Sequence, residues 1–284
     1  MIRRPHFHGP PLRAGTCVRV LLVLLAVVGP QRLAAQTIDL AGDLYTAQTI
    51  VTGTGEPERT RGFRAGLEDV VVKLTGDARL ASSPELAGLL RDPHRLIERF
   101  EYEDRMKGIP VHDEQGTRER PHFLRMRFKT EDIEAELARL RLAKWAEPRP
   151  LLAIWLAVRT AKDSYLLQNR GDRGYGQRAV IAEAALRRGI PVHLPPGAPA
   201  QQSAVTFADI AESRLDGAKE ASSHCNAWLF GLLSVTAEGY WNIAWHLEWE
   251  GKQRTWNRAG VSFDTALKDG LETSALVLSG KGAI

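Results

Sequence analysis

"LLAIWLAV", residues 151–158, is the stretch on which the fold turns. Apolar side chains follow one another there without a polar break. A strand with one wet face alternates, whereas a strand covered on both faces does not, and parallel or mixed sheets carry helices on both faces. The run is too short to span a membrane, which takes about 20 residues. It predicts the central strand of a mixed sheet, and with it an α/β (α+β) class.

Downstream, a polar, glycine-bearing loop over 159–176 leads to a helix with Val180, Ile181, Ala184, Ala185 and Leu186, ended by Gly189. "IPVHLP" adds a second short strand and completes a β-α-β unit. A helix over 206–222 with Thr206 as its cap follows. "NAWLFGLLSVT", "GYWNIAWHLEWE" and "RTWNRAGVSF" read as three antiparallel strands, and Asp264 caps a closing helix through Leu267, Leu271, Ala275 and Leu276. The middle strand alternates strictly. Trp241, Ile243, Trp245, Leu247 and Trp249 share one side, while Tyr240, Asn242, Ala244, His246 and Glu248 share the other. A stacking platform sets its rings beside exposed polar groups; here they stand with isoleucine and leucine, which predicts core. Trp249 and Trp256, nearer strand ends, are the rings expected to reach solvent.

Upstream, "DLYTAQTIVT" (43–52) suits a strand, and "GTGEP" breaks it. Phe63, Leu67, Val70, Val71 and Leu74 mark one face of a helix over 58–74, closed by Gly76. "SSPELAGLLRD" starts a short helix with Ser83 as cap and Pro84 at its first position. Strands follow over 98–104 and 122–129, joined by a polar hairpin loop, the second with Leu124, Met126 and Phe128 inward and Arg125, Arg127 and Lys129 outward. Thr130 caps a helix with Ile133, Leu137 and Leu140 on one face. "AEPRP" (146–150) reads as a linker. The organisation expected is therefore a β-α-α-β-β-α module over 37–147 and a β-α-β-α-β-β-β-α module over 150–284, each a mixed or antiparallel sheet covered by helices.

Residues 1–35 stand apart. Arg3, Arg4, Arg13, Arg19 and Arg32 are five of the chain's 38 basic residues, with no acidic residue beside them, so the remainder holds 33 basic against 34 acidic. A basic lead, the apolar "VRVLLVLLAVVGP" and small residues near Ala35 read as a secretory signal peptide. Cleavage there leaves Cys225 as the one cysteine, with no transmembrane span and no internal disulfide. The near-neutral body argues against a nucleic-acid partner, despite the basic stretch Arg118, Arg120, Arg125, Arg127 and Lys129.

Five stretches, "LYTAQTIVTG", "FRAGLEDVVVKLTGD", "LLRDPHRLIERFEYED", "LRMRFKTEDIEAELARLRLAKWAEPRPLLAIWLAV" and "AEAALRRGIPVHLP", resemble in order the uncharacterised bacterial domain of unknown function 2066 proteins. The resemblance spans most of residues 43–250. It implies an exported cell-envelope protein of Gram-negative bacteria and supplies no activity, cofactor or catalytic residue. The chain departs from the pattern in the polar insert 162–178, in "RPH" before Phe123 and in a short tail after Ala275.

Reactive motifs are sparse. Neither HExxH nor CxxC occurs, the glycine clusters lack the lysine of a P-loop, and GxSxG is missing. "SHCN" (223–226) sets His224 beside Cys225, but neighbours on a strand point to opposite faces, so the expectation is a small buried thiol and not an activated nucleophile. No catalytic residue, metal ligand or cofactor is assigned. The function expected is a non-catalytic periplasmic module, soluble or peripherally attached, that binds or scaffolds another envelope protein or component. Trp249, Trp256, Tyr240, Arg125 and Arg127 are its candidate contacts. A hydrolase or transferase, and a glycan or small-ligand binder, are the alternatives; the oligomeric state is left open.

Overall fold

The computed structural model of the chain describes residues 37–38, 44–108, 119–197 and 205–283. The signal-peptide expectation over 1–35 and the middle of the hairpin loop fall outside them. Residues 34–284 form one compact unit. Its elements run Thr37–Ile38 (β1), Thr46–Thr52 (β2), Glu56–Thr75 (α1), Pro84–Leu89 (α2), Ile97–Asp104 (β3), Pro121–Phe128 (β4), Thr130–Arg139 (α3), Leu152–Arg159 (β5), Ser164–Leu166 (β6), Tyr175–Arg188 (α4), Val192–His193 (β7), Phe207–Ala211 (α5), Asp216–Ala221 (α6), Ala227–Val235 (β8), Trp241–Trp249 (β9), Lys252–Val261 (β10) and Phe263–Leu278 (α7). This is an α/β architecture with two sheets.

The larger sheet has the order β1-β7-β5-β8-β9-β10, with β6 also on β5. Strand β5 runs parallel to β7 and β8, and β8, β9 and β10 alternate antiparallel, so the sheet is mixed. The apolar run is its buried centre: every residue of β5 except Arg159 is buried. Leu152, Ile154, Leu156 and Val158 face a core shared with α4 and α7, and Ala153, Trp155 and Ala157 face a second core with Ile210 of α5 and Ala218 of α6. Strand β6 lies inside the stretch expected as a polar loop, since three residues are too short to carry a strand pattern. On β9, Ile243, Trp245 and Leu247 are buried, and Asn242 and Ala244 are exposed, as alternation requires; Tyr240, just before the strand, is exposed too.

The smaller sheet, β2-β4-β3, is antiparallel throughout. Leu124, Met126 and Phe128 turn inward onto Phe63, Leu67, Val70, Val71 and Leu74 of α1 and onto Ile133 and Leu137 of α3. Helix α1 ends at Gly76 in the left-handed conformation, φ 76°, whose N–H donates to the Val72 carbonyl. Two glycines let α1 lie this close to the sheet. A Cβ at Gly62 would stand 2.6 Å from Leu124 Cδ2 and 2.8 Å from Val51 Cγ1, and one at Gly66 would strike Met126 Sδ. Alanine normally gains about 1 kcal/mol over glycine in a helix, while overpacking costs about 1–3 kcal/mol. Gly62→Ala and Gly66→Ala are therefore each expected to lower stability by about 1 kcal/mol, read from urea midpoints. Variants as stable as the parent would show that the helix has room to retreat.

Three boundaries differ from expectation. The helix over 206–222 is two helices, because the chain turns left-handed at Ser213 (φ 60°) and the Arg214 guanidinium folds back on Asp209 at 2.8 Å. Thr206 does cap the first of them, in a reciprocal capping box with Asp209. Ser262, not Asp264, caps α7, its Oγ accepting from the Thr265 N–H at 3.2 Å. Lys129, not Thr130, occupies the cap position of α3.

Candidate functional site

Strand β2 is an edge of the smaller sheet among the described residues. N–H and C=O of one residue in an antiparallel strand point to the same side, and successive residues alternate. Tyr45 accepts from the Phe128 N–H, toward β4, so Thr46, Gln48 and Ile50 direct their backbone groups outward. Helix α1 answers with a stripe at four-residue spacing: Arg61, Ala65, Asp69 and Lys73. The Lys73 ammonium donates to the Thr46 carbonyl at 2.7 Å, and Arg61 Nη2 donates to the Ile50 carbonyl at 3.4 Å. Gln48 lies between these two capped carbonyls, and Ala65 lines the same groove.

Helix α4 closes the far wall with Glu183, Leu186 and Arg187. Arg187 is anchored by Asp69, with Nη2 to Oδ1 at 2.6 Å and Nε to Oδ1 at 3.1 Å. The result is a groove of about 1120 Å³ along β2, continuing over the outer face of the sheet to Arg99, Phe123, Arg125 and Arg127. Five large apolar side chains stand exposed among the described residues: Ile50, Phe100, Tyr175, Leu186 and Tyr240. Three of them, Ile50, Phe100 and Leu186, line this groove, so apolar exposure is concentrated there, the usual mark of an interaction surface. Seven cationic side chains in the lining stand against three anionic ones, and four of the seven, Arg61, Arg125, Arg127 and Arg187, are held in ion pairs with Glu58, Glu103, Glu98 and Asp69. Burial pushes the Lys73 ammonium down to about 8, with Asp69 opposing that shift.

Arg125 and Arg127 lie in the groove's outer part, as cross-strand anchors. Arg125 donates to Gln48 Oε1 at 2.8 Å and pairs with Glu103 at 2.5 Å; Arg127 donates to Glu98 at 2.8 Å. Such exposed pairs contribute at most about 1 kcal/mol each, so they orient the guanidinium groups more than they stabilise the fold. Tyr240, Trp249 and Trp256 are not brought together. Tyr240 precedes one end of β9 and Trp249 ends the other. Trp256 is not near a strand end; it sits mid-β10 opposite Trp245, is partly buried against the core, and donates from Nε1 to Asp269 Oδ2 at 2.8 Å. Its register, which sequence alone does not set, decided that. Trp249 is likewise partly buried against the core and partly exposed. Leu186 is half-exposed groove wall.

A second, smaller depression lies between α5, α6 and β9. Its charges neutralise one another: Glu248 accepts from Lys219 at 3.1 Å and meets His246 Nε2 at 2.9 Å, while Arg214 holds Asp209. Cys225 is buried, and burial pushes its thiol up to about 12. Cys225 is the small buried thiol expected, and in the metal-free chain that burial disfavours the thiolate. No described helix is long and apolar enough to cross a membrane.

Residues 39–146 match the family model "Domain of unknown function (DUF8605)". This stretch holds β2, α1, α2, β3, β4 and α3, the whole of the smaller sheet with its helices. The matched model is thus an uncharacterised domain, but not the 2066 family that the five stretches resemble. The edge and α1 wall of the groove lie inside the matched region, and the α4 wall lies beyond it. No curated protein matches the chain.

Proposed function

We propose that this chain is an exported periplasmic protein that binds or scaffolds another envelope component without catalysis, taking an extended acidic segment of it as an added strand on β2. The observation that carries the reading is the outward backbone of Gln48 in a groove that exposed Ile50 and Leu186 also line, with more cationic than anionic side chains around it. Strand addition draws affinity from main-chain hydrogen bonds and specificity from alternate side chains. Here Ile50 and Leu186 offer the apolar contacts, and Arg61, Lys73 and Arg187 attract the charge. The leader-like residues 1–35 and the likeness to the exported 2066 family support the location.

A photo-reactive side chain placed at position 50 or 186 is expected to crosslink in cells to the same envelope protein, and one at position 240 is not. Gln48→Pro removes one outward N–H and spares the β2–β4 ladder, so it should sharply reduce both crosslinks. Equal labelling from 50 and 240, or adducts indifferent to Gln48→Pro, would reject strand addition. Recovery of the full-length chain in the cytosolic fraction would reject export.

A further inference from the structure

We propose that His193, His224 and Cys225 form a binding site for one borderline transition-metal ion, with Zn²⁺ the best match. This goes beyond the docking reading and is independent of it, since the site lies on the other sheet. The three side chains each offer one ligand atom, and these atoms lie within 4.8 Å of one another. His193 ends β7 and pairs in register with Ala153 of β5, whose other neighbour is Trp228 of β8. His224 and Cys225 stand in the loop that enters β8. The ligands therefore converge beside Ala153, a methyl group that leaves room where its strand otherwise carries Trp155.

The loop is held in place from below. Ser222, fully buried, accepts from the indoles of Trp155 and Trp228 at 3.1 Å each and donates to the Ala218 carbonyl at 2.6 Å. The Cys225 N–H donates to the Ser222 carbonyl at 2.9 Å. A second, independent feature comes from His193. It is 2% exposed, and its Nδ1 is buried with no hydrogen-bond partner. Buried polar atoms are almost always satisfied, so an unpaired imidazole nitrogen beside a second imidazole and a thiol asks for a ligand. The two rings stand edge to face with centroids 4.6 Å apart, which puts both near the same point.

Two imidazoles and one sulfur select zinc or copper over magnesium and calcium. Tetrahedral zinc places its ligand atoms about 3.3–3.8 Å apart. The three ligand atoms lie within 4.8 Å of one another, and His224 is the exposed member of the set. Three protein ligands leave a fourth position for water or an incoming group. On binding, the Cys225 S–H bond breaks, a sulfur–metal bond forms and the proton passes to buffer; no electron is transferred.

The test uses the full chain carrying Cys17→Ser, so that Cys225 is the sole thiol, with Co²⁺ as spectroscopic probe. One equivalent should give a thiolate-to-cobalt charge-transfer band and intense visible d–d absorption, both abolished by Zn²⁺. Cys225→Ser should erase the charge-transfer band. His224→Ala, at an exposed position that leaves the core untouched, should weaken binding by about tenfold or more, the scale on which even outer-shell changes act. Zn²⁺ should raise the melting temperature of the Cys17→Ser protein by more than that of either further variant. A folded protein that shows no charge-transfer band in excess Co²⁺, or unchanged affinity in His224→Ala, overturns the proposal.

Discussion

Replacing Trp245 with alanine is expected to lower the unfolding free energy by about 3–5 kcal/mol, the range for truncating a buried large aromatic. Trp245 is 2% exposed and joins β9 to α7, donating from Nε1 to the Ala266 carbonyl at 3.2 Å. Its ring lies between two glycines. A Cβ at Gly270 of α7 would come within 2.6 Å of Cζ2, and one at Gly231 of β8 would strike the ring and stand 2.7 Å from Leu156 Cδ1. Glycines have no side chain to lean into a void, so the cavity left by Trp245→Ala cannot collapse readily, and the cost belongs at the upper end of the range. Gly270→Ala alone should also destabilise, by about 1 kcal/mol once alanine's helix gain is set against overpacking. The double variant should be more stable than the sum of the two losses allows, because the new methyl group enters the emptied space. Urea unfolding of all three proteins measures this. A loss under about 2 kcal/mol for Trp245→Ala would mean that α7 closes onto the sheet.

The same residue shows why part of this fold was legible. Trp245 shares a face with Ile243 and Leu247 at a two-residue period, and that period requires no knowledge of neighbours. The unbroken run at 151–158 likewise carried the mixed sheet, since only a strand covered on both faces tolerates it. What the period could not carry was register and strand order. Trp256 looked terminal in its own segment, yet pairing with β9 puts it opposite Trp245. Leu186 sat beside Ala184 and Ala185 in sequence, but the helix turns it outward and into the groove. The stripe Arg61, Ala65, Asp69 and Lys73 is visible as a helix face. Its meaning depends on β2 being an edge, which only strand order decides. His193 is the hardest case: it lies 31 positions before His224, and their meeting follows from β7 and β8 flanking β5. The expected β-α-β unit was the one signal that pointed to such a meeting.

Lys73 supplies the second large effect, and its sign is fixed by burial. Its ordinary value is 10.5, and desolvation lowers it to about 8 in the folded chain, against the partial pull of Asp69. Between these limits the unfolded chain still holds a proton that the folded chain has released. Stability rises with pH wherever the unfolded state binds more protons. The cost of the buried ammonium is therefore complete below pH 8 and removed as pH climbs to 10.5. At about 1.4 kcal/mol per unit the change is on the order of 3 kcal/mol. Other groups titrate in this window, so the quantity to measure is the stability of Lys73→Met relative to the parent at each pH. Methionine keeps an unbranched stem and does not titrate. Its advantage over the parent should shrink, or its deficit deepen, by on the order of 3 kcal/mol between pH 8 and 10.5. A difference that stays flat would mean that Lys73 is hydrated and ordinary. The same titration bears on the groove, because a neutral Lys73 no longer attracts an acidic strand. Crosslinking through position 50 should accordingly weaken above pH 8 in the parent and show no such decline in Lys73→Met.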